Sequence, residues 1–387
     1  MTKRPTTMQR TVAAAAVSVL MLAAGGAARA DATKDWMQHK IPQAEPNITY
    51  DGEPIVWKFA HPVPPASVVP PVWQGALKWF TEATDGKFII EEFGAGTLLG
   101  TKDGFKGVRS KIAEYATCYV AQEGRGFDLS KVWQQPFVAP SNMAVLSRVT
   151  AELAPKYFKP EFEQQEVYFA YQAITSAYDL MSKKPVRRLE DFKGLKIGIP
   201  SGDPEVGAAL GAVFVQIPFP DLYVSMQQGM IDAIAWTNSA FIAYKIPELA
   251  KYHTTLNLTV ATIDACVNRA AFDALPPDMQ DAFLHFQQLV SPALTQVVGI
   301  NAVNEAKAAY AAAGVETIVM EPAEMDRVRK AVEPLVEKWA AEQEAAGRPA
   351  RALLADIRRL EEKYAGMSDD ELFMLAVTDP VPGFIGD

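Results

Sequence analysis

The stretch that decides the fold is Phe214-Val215-Gln216-Ile217-Pro218-Phe219-Pro220-Asp221-Leu222-Tyr223-Val224-Ser225-Met226-Gln227-Gln228-Gly229-Met230-Ile231-Asp232-Ala233-Ile234-Ala235-Trp236. Phe214 to Ile217 is too short an apolar run for a helix, and prolines follow it, so it reads as a strand. Asp221 to Gly229 reads as a helix closed by its glycine, and Ile231 to Trp236 as a second strand. Strand, helix and strand in so few residues predict an α/β architecture with largely parallel sheets. The same alternation extends toward the N-terminus. Leu189 to Gly194 is a turn into the strand Leu195 to Ile199, and Pro204 to Leu210 is helical. Further back lie a strand at Ile55 to Ala60, a helix carrying Val72, Trp73, Ala76, Leu77 and Phe80, and a strand at Phe88 to Phe93. A helix around Lys102 to Ser110 and strands at Tyr115 to Ala121 and Val167 to Ile174 complete that block. Toward the C-terminus, Thr262 to Asn268 is one more strand, and Pro277 to Tyr364 is almost wholly helical. Two α/β blocks followed by helices predict two lobes, a chain that crosses between them more than once, and a ligand crevice between them.

The chain has 387 residues, 49% apolar and 21% charged, which is the composition of a folded globular protein. Its net charge of −9 excludes functions that need broad attraction to nucleic acid or anionic lipid. Lys3, Arg4 and Arg10 precede an uncharged run from Thr11 to Ala28, and Ala28-Arg29-Ala30 ends it. That pattern predicts a secretory signal peptide cut after Ala30 and an exported, soluble mature chain. Loss of Lys3, Arg4, Arg10 and Arg29 with that peptide takes the net charge from −9 to −13. Asp31 to Pro54, with three prolines and little periodicity, reads as an extension on the surface. The two cysteines, Cys118 and Cys266, exclude a disulfide framework or cysteine zinc cluster; one long-range disulfide or two thiols both fit.

Signatures of catalysis are missing from the sequence. Gly94, Gly96 and Gly100 follow a strand, but the third glycine is one position late for a dinucleotide loop, and a strand-to-helix turn accounts for them. There is no HExxH, P-loop or GxSxG, and His39, His61, His253 and His285 lack ligand spacing. Asp278, Asp281 and Glu305 read as solvated helix faces. No catalytic residue, cofactor or metal is expected, and a secreted binding protein fits better than a hydrolase.

Several segments resemble the substrate-binding proteins of tripartite ATP-independent periplasmic (TRAP) transporters, the dicarboxylate-binding type. They are Trp57 to His61, the glycine turn Phe93 to Gly100, Lys183 to Val186 with Leu189 to Lys196, the opening stretch Ile217 to Tyr223 with Met226 to Asp232, Leu275 to Gln280, and Gly314-Val315. Their order holds over most of the chain. The resemblance implies a two-lobe periplasmic-binding-protein fold, with a ligand cleft between lobes and long helices between Pro277 and Tyr364 crossing them. It divides the chain into a signal peptide (1–30), an extension (31–54), lobe 1 (55–175 with 262–305) and lobe 2 (176–261 with 306–387). It also implies a monomeric periplasmic receptor that closes on a small organic acid and delivers it to the small and large membrane subunits of a sodium-driven permease. The alternatives are a ligand sensor for a membrane kinase and a secreted enzyme on the same fold.

The sequence departs from that family at its anchors. The family arginine after Gly-Leu-Lys-Ile falls on Gly198, a second arginine falls on Tyr178, and the acidic residue that helps a keto-acid branch hold a metal falls on Ala235. By position, the ligand wall is expected from His61, Gln122, Glu123, Arg125, Tyr178, Gly198, Phe219 and Trp236. With guanidinium replaced by aromatic surface, the expected ligand is bulky or aromatic, either neutral or a monocarboxylate.

Overall fold

The computed structural model describes residues 31–200, 202–218 and 221–384. The expected signal peptide and Phe219 therefore lie outside the described residues. The strands are β1 (Ile55–Ala60), β2 (Phe88–Phe93), β3 (Tyr115–Thr117), β4 (Val167–Ala177), β5 (Asp179–Ser182), β6 (Lys196–Ile199), β7 (Val213–Gln216), β8 (Ala233–Trp236), β9 (Tyr252–Thr255), β10 (Val260–Asn268) and β11 (Glu316–Val319). They form a five-stranded sheet, β2-β1-β3-β10-β4, and a six-stranded sheet, β11-β9-β5-β8-β6-β7.

Both sheets are mixed, where largely parallel ones were expected. β1 runs parallel to β2 and β3, and β6 to β7 and β8, but β10 is antiparallel to β3 and β4, and β5 to β8 and β9. The cause is the crossing. β4 leaves the first sheet at Tyr178 to become β5, and the chain returns from β9 into β10 beside it, so β4 and β10 must run in opposite directions.

Period-two alternation gives each sheet two apolar faces. On the first sheet, Tyr115, Ala265 and Val267 face the helices Pro70–Ala83 and Pro277–Leu294. Ala116, Cys118 and Cys266 face Met143–Leu153 and Ala350–Tyr364. On the second sheet, Leu180, Ile197, Ala233 and Ala235 face Val206, Val328 and Val332, while Met181 and Ile234 face Leu222, Met226, Phe241 and Tyr310.

Four segments join the sheets: Tyr178, residues 256–259, the continuous helical run from Pro277 through the π-helical turn Thr295–Asn301 to Ala312, and the helix Pro322–Ala345. That last helix places Val328 and Val332 in the second sheet's core and Ala340 in the first's. From there on, Leu353, Ile357, Leu360, Leu372 and Val381 also belong to the first sheet, so the assignment of 306–387 to the second lobe is corrected. The stretch Pro277 to Tyr364 is almost wholly helical, as expected, and its one strand, β11, adds to the second sheet beside β9. The extension is more than a surface strand of polar residues. Its helix Ala32–Met37 buries Trp36 completely, with ring centroids 5.0 Å from Trp79 and 6.1 Å from Phe373.

Candidate ligand-binding cleft

In sheets of this kind, ligands collect beyond the carboxyl ends of parallel strands, where loops leave backbone amides and side chains unpaired. β1, β2 and β3 end at His61, Gly94 and the Cys118 to Arg125 turn; β6, β7 and β8 end at Pro200, Ile217 and Thr237. These ends carry most of the residues that the sequence singles out. On the first sheet, the Gly96 amide donates to the His61 carbonyl at 3.1 Å and the Ala95 amide to Val63 at 3.2 Å. Ala95 and Gly96 have positive φ of 54° and 73°, which the glycine supplies without strain and the alanine does not.

His61 is 1% exposed, its Nε2 2.8 Å from Glu92 Oε1 and its ring 4.5 Å from Trp73. It is a wall behind the turn, since a Cβ on Gly94 would stand 2.9 Å from its Cε1. Gln122 and Glu123 sit half-buried at the end of the 3₁₀ turn Val120–Gln122, and Arg125 is exposed two residues on. Lys131 Nζ donates to the Glu123 carbonyl and fixes that turn.

Tyr178 is the crossing residue itself and is 4% exposed. Its amide donates to the Thr259 carbonyl at 2.8 Å and its carbonyl accepts from Leu258 at 3.1 Å, joining two crossings. Trp236 ends β8 opposite Asp179, half-buried, with its ring 5.1 Å from Tyr244. Gly198 pairs with Ile234, two residues before Trp236, but it faces the layer of Leu222 and Ile231, whereas Tyr178 packs in the layer of Leu180 and Ile197. A Cβ on Gly198 would meet Ile231 Cδ1 at 2.6 Å and Leu222 Cδ2 at 2.9 Å, so a longer side chain there starts inside an apolar layer.

Two buried carboxylates beside these turns escape sequence reasoning, and the signal for each is an acid in an otherwise apolar strand. Asp264 is fully buried on β10; its Oδ2 accepts the Val120 amide at 2.8 Å and its Oδ1 the Gln172 Nε2 at 3.0 Å. It therefore anchors the turn that carries Gln122 and Glu123. Burial pushes its pKa up to about 6, and its hydrogen bonds with Thr262, Val120 and Gln172 oppose the rise. Next to it, Cys118 and Cys266 are joined in a disulfide that staples β3 to β10. The second carboxylate, Asp179, lies beside the Tyr178 crossing.

Among the described residues, no cluster of three or more His, Cys, Asp or Glu is arranged to hold a metal ion. A cavity of about 40 Å³ behind the first sheet, lined in part by Arg148, Gln172 and Thr295, and a groove of about 740 Å³ between the extension, Asp278 and the tail Pro380–Phe384 both lie away from the strand ends. The strand ends present hydrogen-bond donors, aromatic surface and the guanidinium of Arg125, an arrangement suited to holding a ligand.

Residues 60–343 match the model of the bacterial extracellular solute-binding proteins, family 7. The chain is 27% identical over 236 residues to the C4-dicarboxylate-binding periplasmic protein of Rhodobacter capsulatus, covering 59% of this chain and 69% of that one. Its fold is similar to a TRAP solute-binding protein from Rhodoferax ferrireducens solved with copurified benzoate, with TM-score 0.72 and 20% identity over 80% of this chain and 98% of that one. A TRAP periplasmic solute-binding protein from Bordetella bronchiseptica with bound mandelate is similar at TM-score 0.70 and 21% identity, over 80% of this chain and 99% of that one.

Proposed function

The chain belongs to family 7 of the bacterial extracellular solute-binding proteins, the substrate receptors of TRAP transporters, and we propose that it captures a bulky or aromatic monocarboxylate, or a neutral compound of that shape, and hands it to a TRAP permease. Two lobes built on the two sheets close about the four crossing segments. Ligand favours closure because only the closed form touches it from both sides.

The observation that carries the ligand class is Gly198. A family arginine would place a guanidinium there; here the position is a glycine packed under Ile231 and Leu222, and Tyr178 and Ala235 are likewise uncharged. The aromatic surface nearby is that of Trp236, half-buried at the end of β8, with Tyr178 buried at the crossing, and affinity then comes from apolar and aromatic burial. Arg125 or backbone amides of the first sheet's turns meet the single carboxylate. Relatives of this fold that hold benzoate and mandelate support the same ligand class. The protein acts in the periplasm as a monomer after cleavage behind Ala30, and mass spectrometry of the exported chain checks that terminus.

The test is a thermal-shift screen with benzoate, mandelate, succinate and malate within a wider metabolite set. A ligand at one hundred times its dissociation constant raises stability by about 2.7 kcal/mol. Shifts with aromatic monocarboxylates are expected. Tight binding of succinate or malate that survives Trp236→Ala would refute the ligand class.

A further inference from the structure

We infer that Asp179 is a positioning residue that locks three of the four crossing segments to the ligand-wall corner after Trp236. It lies on β5, one residue past Tyr178, and is 4% exposed. Its Oδ1 accepts the backbone amides of Leu256 at 2.9 Å and Asn257 at 3.2 Å, both in the second crossing. Its Oδ2 accepts Asn238 Nδ2 at 2.9 Å and lies 3.2 Å from His253 Nε2. Asn238 stands two residues past Trp236 and begins the helix Asn238–Ala243. It relays the contact further: its Oδ1 accepts the Tyr310 hydroxyl at 2.9 Å, from the third crossing, and its backbone amide donates to Ser176 Oγ at 3.2 Å, on β4 two residues before the first. One buried carboxylate thus fixes both strand crossings, the helix Ala302–Ala312 and the corner that holds Trp236.

Buried carboxylates are retained when every acceptor lobe is used, and four donors converge on this one. The geometry has a consequence for closure. Any rotation of one sheet against the other must bend residues 177–179 and 256–259 together, since both end on the same carboxylate, and Asn238 carries that bend to Trp236. Asp179 acts through these partners, and we place it behind the ligand wall.

The inference rests on the receptor reading, so its test includes a readout that needs no ligand. Asp179→Asn keeps an oxygen for Leu256 and Asn257 but turns an amide toward the Asn238 amide, breaking the relay. Adding Asn238→Asp restores a donor and acceptor pair in reverse. Amide hydrogen exchange in the unliganded protein is expected to rise about tenfold in Asp179→Asn at residues 176–179, 237–241 and 256–259 together, the worth of one charge-assisted hydrogen bond, and to return in the double variant. Benzoate affinity, where wild type binds it, follows the same loss and recovery. Asp278→Asn, which loosens the distant extension, serves as the matched destabilised control and leaves those segments unchanged. Faster exchange confined to β5, or the same pattern in Asp278→Asn, or no recovery in a folded double variant overturns the inference. Failure of wild type to bind any organic acid counts against the receptor reading and leaves the exchange comparison to decide Asp179.

Discussion

A buried acid on β10 gives the first sheet a pH response. Asp264 has a native pKa of about 6, above its unfolded value of about 3.9, so the native state holds the proton more tightly. Its contribution is neutral below about pH 4, and stability is lost as pH rises through about 4 to 6, by at most about 3 kcal/mol. Asp264→Asn can still accept the Val120 amide, and its own amide can donate to Gln172 Oε1, which has no partner among the described residues. The variant should therefore gain on wild type across that pH window in urea melts; parallel stability curves from pH 4 to pH 7 would refute the assignment. At Trp236 the expected outcome is a loss of binding of about 2 to 4 kcal/mol on truncation to alanine, as for a central aromatic anchor, read by calorimetry with the ligand found in the screen. Trp236 was legible as a candidate only by its position in the resemblance to the solute-binding family, since an aromatic at a strand end is by itself ordinary packing. Asp179 and Asp264 were not, because an isolated acid in a strand carries no local mark of the partners it meets 59 to 144 positions away.

At the scale of elements, the staple between β3 and β10 closes a loop of 148 residues. Replacing Cys118 and Cys266 by serine should lower stability by about 2 to 5 kcal/mol, and thiol titration of the denatured, unreduced wild type should find none free. One thiol per cysteine would remove the staple. The N-terminal extension is held by a different device. Asp278, in the first turn of the helix Pro277–Leu294, accepts the Thr49 and Tyr50 amides at 2.7 Å each and the Thr49 hydroxyl at 2.8 Å. Burial is the largest single influence on this carboxyl and pushes its pKa up, but these bonds and the Met279 amide together outweigh it and hold the carboxyl below its ordinary range. Asp278→Ala should make residues 45–54 the first site of limited proteolysis without altering ligand affinity; unchanged cleavage would show that other contacts, such as Trp36 with Trp79 and Lys87 with the Gly52 carbonyl, suffice to retain the extension. Sequence periodicity located the long helices and most strands, but the helix at Ala32–Met37 is too short to declare itself and forms because Trp36 finds Trp79.

For the whole molecule, ligand should narrow the open and closed populations to one, and small-angle scattering should record a smaller radius of gyration on saturation. An unchanged radius with saturating ligand would exclude closure as the functional event. The sequence alone determined the class of the molecule: strand, helix and strand units repeat with their own periodicities, and the Ile217 to Asp232 stretch lies in the order expected of the solute-binding family, because local propensity and apolar spacing are written in neighbouring residues. It also shows Tyr178, Gly198 and Ala235 to be uncharged, and the proposed ligand class rests on reading these as the anchor positions. Only the tertiary structure decided that the sheets are mixed, that the chain after Ala340 returns to the first sheet, that Cys118 meets Cys266, and that Asp179 gathers the crossings. Each of these joins residues far apart in the chain, and such contacts are selected by the burial of apolar faces and the pairing of buried polar groups in the completed fold, which no local window of sequence records.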